Sequence, residues 1–162
     1  MMSTIWNKYL EDFGDDDGHE YEVEKRNENP TLYDCALAIC EYDEPNFLKE
    51  KIENVSFAVN DLTPRTEQPL FYLAITKNRI ESCKILVENG ADLSYREMDK
   101  SYLWWSVFTG ASIEIVQLLL RNSTDPQAPN VELSSEELDD LIDRAERKSS
   151  EEVVELLNKI RN

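Results

Sequence analysis

Pro69-Leu70-Phe71-Tyr72-Leu73-Ala74-Ile75, followed by Ile80-Glu81-Ser82-Cys83-Lys84-Ile85-Leu86, returns 33 residues later as Tyr102-Leu103-Trp104-Trp105-Ser106-Val107-Phe108 and Ile113-Glu114-Ile115-Val116-Gln117-Leu118-Leu119. The second segment of each copy carries apolar residues at three- and four-residue spacing, which makes one buried stripe on a helix. Each copy therefore reads as two short helices. A helix pair of this size cannot bury its apolar face alone, so the repetition predicts pairs that stack on their neighbours around a shared core.

Asn89-Gly90-Ala91-Asp92-Leu93 closes the first of these copies. Its glycine can adopt the left-handed conformation that ends a helix, and a turn must follow. A 33-residue period, paired helices and an N-G-A-D-L turn resemble the ankyrin repeat. That resemblance implies an all-α solenoid of stacked helix pairs with short hairpin fingers projecting to one side. Asn122-Ser123-Thr124-Asp125 stands in the same place after the next copy without a glycine, so an altered turn is expected there.

The resemblance extends over Asn29 to Asn162, about four repeats, and its two clear copies lie between Pro69 and Asp125. Upstream, Leu37-Ala38-Ile39 matches Leu73-Ala74-Ile75, and Phe47, Leu48 and Ile52 supply a second helix that opens at Pro45, a residue suited to the first helical turn. Phe57-Ala58-Val59-Asn60-Asp61 resembles the family's turn. Downstream, Ser134 or Ser135 can cap a helix carrying Leu138, Leu141, Ile142 and Ala145. Ser149 or Ser150 can cap another with Val153, Val154, Leu156, Leu157 and Ile160. The segment Thr124 to Leu133, with Pro126 and Pro129, is longer than the family's usual connection.

Residues 1–28 differ in kind. Ile5, Trp6, Tyr9, Leu10 and Phe13 have helical spacing and suit an N-terminal cap helix, followed by the acidic stretch Gly14 to Glu20, read as a loop. The expected organisation is thus 1–28 as cap helix and acidic loop and 29–162 as repeat domain. About eight short helices in four pairs, plus one near the N-terminus, are expected, without an extended sheet.

Thirty-four acidic residues against 17 basic ones give a net charge of -17. Phosphate-rich ligands demand lysine and arginine, so the charge argues strongly against nucleic acid and anionic membranes; if charge steers a partner, that partner is basic, and the alternative is that the acidity serves solubility alone. Cys35, Cys40 and Cys83 are an odd number of thiols inside apolar runs, and read as buried in a reducing compartment. Met1 to Phe13 has no basic start followed by an apolar run. No stretch approaches the ~18 apolar residues of a membrane helix, and the expectation is a cytoplasmic protein that is a monomer when free.

Catalytic and metal-binding patterns are weak throughout. Asp15, Asp17, Gly18 and Glu24 fall at positions three, five, six and twelve of a calcium-binding EF-hand loop, but Phe13 occupies position one, where a carboxylate must stand. His19 is the one histidine available to a catalytic triad, and Cys35 and Cys40, five apart on a helix, point to different faces. Four glycines in the whole chain make no phosphate-cradling loop or dinucleotide fingerprint. Neither an enzyme nor a bound cofactor or metal is expected.

What remains is binding. The resemblance implies partners held against the fingers, here Thr63 to Gln68 and Tyr95 to Ser101, and against first-helix positions Thr76, Lys77, Thr109 and Gly110. Tyr95, Arg96 and Met98 offer large contact area at modest ordering cost. Glu67, Glu97 and Asp99 supply acidic charge for encounter with a basic partner. Phe71, Tyr72, Trp104 and Trp105 occupy places that usually face the stack interior, with Trp105 the better exposed of the tryptophans. Two functions follow: an acidic inhibitor or immunity-type protein covering a basic partner such as a nuclease toxin, or a general adaptor or host-interaction protein whose acidity is incidental.

Overall fold

The computed structural model describes residues 4–13, 19–123, 135–148 and 151–161. Among them the chain is all-α: ten helices, no strand, and a single isolated bridge between Glu97 and Lys100. The backbone gathers into two compact units, Met1–Ala74 with Glu81–Ala91, and Ile75–Ile80 with Asp92–Asn162.

The first unit is built around α3 (Pro30–Cys40), in which every residue from Leu32 to Ile39 is buried. Its start is well specified: Pro30 occupies the first turn, where a missing N–H is harmless, and the Asn29 side chain accepts a hydrogen bond from the Leu32 amide. Ile5 and Trp6 of α1 (Thr4–Phe13) form a core with Tyr33, Leu37 and Ala38. The helix expected near the N-terminus is therefore present and packs on α3. Between the two lies α2 (His19–Glu28), where no helix had been expected at all. Its sequence, HEYEVEKRNE, has no apolar stripe. Polar ties to α3 hold it instead: Arg26 to Asp34, and the Tyr33 hydroxyl donating to Glu22.

In α4 (Pro45–Asn54), Pro45 again opens the helix and Leu48 is its buried contact. The unit is completed by the start of α5 (Leu70–Thr76) and by most of α6 (Ile80–Glu88), with Cys83 and Leu86 buried. Gly90 ends α6 as expected, at φ 89°. Its amide donates to Val87 and that of Ala91 to Leu86, the paired bonds of a left-handed helix terminus.

The second unit takes the end of α5 with its following turn, then α7 (Tyr102–Phe108), α8 (Ile113–Ser123), α9 (Ser135–Lys148) and α10 (Glu151–Arg161). Ser101 caps α7 by accepting from the Trp104 amide, and Gly110, at φ 71°, ends the helix in the same way as Gly90 ends α6. The predicted stripe of α9 is buried at all four positions, Leu138, Leu141, Ile142 and Ala145, and α10 buries Val153 and Leu157. Residues 14–18, the long connection 124–134 and the capping serines 149 and 150 lie outside the described residues. α8 continues through Ser123, past the place where a turn had been expected at Asn122.

Candidate partner-binding surface

The segment 95–101 of the second unit is a miniature hairpin. Glu97 and Lys100 exchange both backbone hydrogen bonds, at 3.1 and 3.0 Å, while Met98 (φ 50°) and Asp99 (φ 61°) turn the chain between them. Two consecutive positive φ angles are the signature of the hairpin turn whose twist matches paired strands, and glycine or asparagine normally supplies them. Here a methionine and an aspartate do so, at ~1–2 kcal/mol for each side chain forced left-handed. Such a backbone persists only when its surroundings over-determine it.

The surroundings do. The indole Nε1 of Trp105 donates to the Glu97 carbonyl at 2.9 Å, and the Tyr95 hydroxyl donates to the Glu97 carboxylate at 2.6 Å. The Tyr95 ring lies 5.9 Å from that of Tyr102, which is buried on α7. Arg96 donates to the Asp99 carbonyl at 2.9 Å and reaches Glu137 of α9 at 3.6 Å. The braced finger presents Met98, 79% exposed, at its tip beside the almost fully exposed Asp99 carboxylate.

The expected partner residues thus divide by role. Met98, Asp99 and Arg96 face water, whereas Glu97 and Tyr95 are half-buried and face each other. Glu97 is a brace, and its charge is already engaged within the finger. Trp105 is half-buried and its nitrogen is committed to the same finger. Glu67 is exposed and belongs to the first unit, in its own tight turn. There the amide of Thr63 donates to Gln68, that of Glu67 donates to Thr63, and Glu67 takes φ 59°.

Behind the finger stands an aromatic cluster that sequence reasoning reached only in part. Trp104, 7% exposed, stacks on Phe108 at 4.8 Å and meets Trp105 edge-on at 5.0 Å. Its Nε1 donates to Asp140 at 3.0 Å, and Arg144 donates to the same carboxylate at 3.0 Å. These two hydrogen bonds, the indole's first, hold the Asp140 carboxyl below the ordinary carboxylate range. Lys100 and Arg144 lie 5.3 and 5.1 Å from the Trp104 ring centre, and Lys148 lies 5.1 Å from that of Phe108, distances at which cations are attracted to aromatic faces. The signal for these partners was present in the four-residue spacing of Asp140, Arg144 and Lys148, but not their pairing with α7.

Phe71 is buried and Tyr72 half-buried. Cys35 and Cys83 are buried deeply enough to push their thiols up to about 12, while Cys40 is half-buried. Among the described residues no group of three potential metal ligands gathers, and no helix is long and apolar enough to cross a membrane. The acidic positions Asp15 and Asp17 lie outside the described residues, and Glu24 stands on α2. In the first unit an open groove of about 640 Å³ runs between α4 and α6, lined by charges of both signs, among which Lys49 pairs with Glu53 and Lys84 with Glu81. No protein-family model, curated protein or solved structure matches this chain.

Proposed function

We propose that the helix pairs constitute an ankyrin-repeat solenoid and that the chain is a non-catalytic binding protein, an acidic inhibitor that covers the cationic groove of a basic partner protein. The observation that carries this reading is the finger 95–101, held by three side-chain braces and by its own backbone pair, with Met98 and Asp99 displayed at the tip. Pre-ordering a contact loop removes part of the entropy cost of association, and a strained, exposed methionine has no folding role of its own.

Two further contacts support the repeat reading. The Asn60 side chain donates to the carbonyl of Gly90, and the Asn78 side chain accepts from the Ser112 amide. Each asparagine links the turn of one helix pair to the turn of the next pair at nearly a repeat's distance along the sequence. The charge of -17 supports the choice of partner, since a carboxylate-rich surface can stand in for phosphates and steers a cationic protein toward it.

The test begins with proteins captured on the intact chain and continues with the kinetics of the captured complex. Between about 0.05 and 0.5 M salt, association should slow by at least about tenfold while dissociation changes little. Serine at Glu67 and Asp99 should slow association further, and Met98→Ala should speed dissociation. Association indifferent to salt, in a complex that tolerates serine at Glu67, Glu97 and Asp99 together, would exclude the basic partner and leave the general adaptor.

A further inference from the structure

Arg26 sits in a site built by the rest of the first unit. Its Nε and Nη2 each lie 2.8 Å from one oxygen of Asp34, a residue only 3% exposed. Its guanidinium carbon lies 5.0 Å from the ring centre of Trp6, and the fully buried Tyr33 meets that indole edge-on at 5.6 Å. A buried carboxylate taking both prongs of a guanidinium, with an aromatic face beside it, is a recognition site specific for arginine over lysine.

The helix that delivers this arginine brings little else to its attachment. Of the side chains described on α2 none is buried, and its two large apolar side chains, Tyr21 and Val23, are exposed. A ten-residue helix with no apolar anchor is marginal in water, so its place depends on the Arg26–Asp34 fork and on Glu22 accepting from Tyr33. In a chain otherwise organised by buried stripes, α2 is attached by exchangeable polar bonds.

We propose that α2 is a displaceable strap, and that Arg26 fills in cis a site that receives an arginine of the basic partner. The exchange is close to balanced at Asp34, because an incoming guanidinium remakes the same fork. The released strap regains conformational freedom and can carry its carboxylates, the already exposed Glu20, Glu24 and Glu28 and the freed Glu22, toward the cationic surface. The strap keeps Asp34 paired until that arginine arrives. This inference rests on the basic-partner reading and specifies the chemistry by which the partner is recognised.

Capped octa-arginine and octa-lysine peptides, added to the 162-residue chain, separate the possibilities. Octa-arginine should lower hydrogen-exchange protection of the α2 amides by about tenfold or more while α3 stays protected, and octa-lysine should not. Glu22→Ala, which cuts one tie without touching Asp34, should tighten octa-arginine binding by about threefold or more, because less of the affinity is spent on freeing the site. Asp34→Asn, where it folds, should erase the preference for arginine. If octa-arginine binds with α2 still protected and Glu22→Ala has no effect, α2 is a fixed brace and the strap is refuted, with the basic-partner reading intact. If neither peptide binds at low salt, both fall.

Discussion

Replacing Trp104 by alanine removes the largest member of the cluster behind the finger, and its cost can be worked from its neighbours. Truncating a buried tryptophan costs ~3–5 kcal/mol through lost transfer energy and the cavity left behind. At 7% exposure Trp104 qualifies for that range. The stacked contact with Phe108 and the edge contact with Trp105 add ~0.5–1.5 kcal/mol each beyond burial, which places the expected loss near the upper end. The bond to Asp140 adds little, because that carboxylate keeps Arg144 and is open enough to be rehydrated. Met98→Ala, at a residue 79% exposed, should by contrast stay within about 0.5 kcal/mol of the parent. Chemical denaturation followed by both far-ultraviolet dichroism and tryptophan emission measures the two variants, the double probe revealing whether the two compact units melt together. Equal losses, or a loss at Trp104 under about 2 kcal/mol, would mean that the buried place of Trp104 on α7 and the exposed place of Met98 on the finger have been misassigned.

Met98→Gly should leave stability unchanged or raise it by up to about 1 kcal/mol, since glycine accepts the left-handed backbone without strain; a clear loss of stability in denaturation would contradict the turn geometry. The lowered pKa of Asp140 makes its stabilising contribution complete above its ordinary value of 3.8 and lost as pH falls through the lowered one. Asp140→Asn should therefore be less stable than the parent near pH ~6, with the gap narrowing once acidification passes below 3.8, as thermal melts across that range would register. Iodoacetamide at about pH 8 should modify Cys40 first, with Cys35 and Cys83 reacting only on unfolding, because burial keeps both thiols protonated; peptide mass spectrometry identifies the order. Between 9.0 and about 12 those two raised thiols should also erode stability, the unfolded chain ionising first.

Most helices were legible because burial writes a period into the chain. The stripe Leu138, Leu141, Ile142, Ala145 announces α9, and all four residues are buried. Pro45 and Gly90 mark a helix start and a helix end at the positions where those boundaries stand. α2 escaped because hydrophobic periodicity cannot detect a helix whose anchors are Arg26 and Glu22. A tight turn does stand between Tyr95 and Ser101, but the inward turn of Glu97 was not foreseeable. Its pairing with Lys100 follows from left-handed backbone at a methionine and an aspartate, and no asparagine-glycine or aspartate-glycine signal precedes it. Likewise, the join of Trp104 to Asp140 links residues 36 apart, a separation at which spacing alone carries no information.

The two compact units are interleaved along the chain: Ile75–Ile80 belongs with the second although Glu81–Ala91 returns to the first. No single crossover in a gene can therefore pass on one unit whole and leave the other whole. A break after Ala91 strands six residues of the second unit, and a break after Ala74 strips α6 from the first. The segment from Ile75 to Ala91 carries backbone of both units, so a truncation that ends after Glu81 but before Ala91 cuts into both at once.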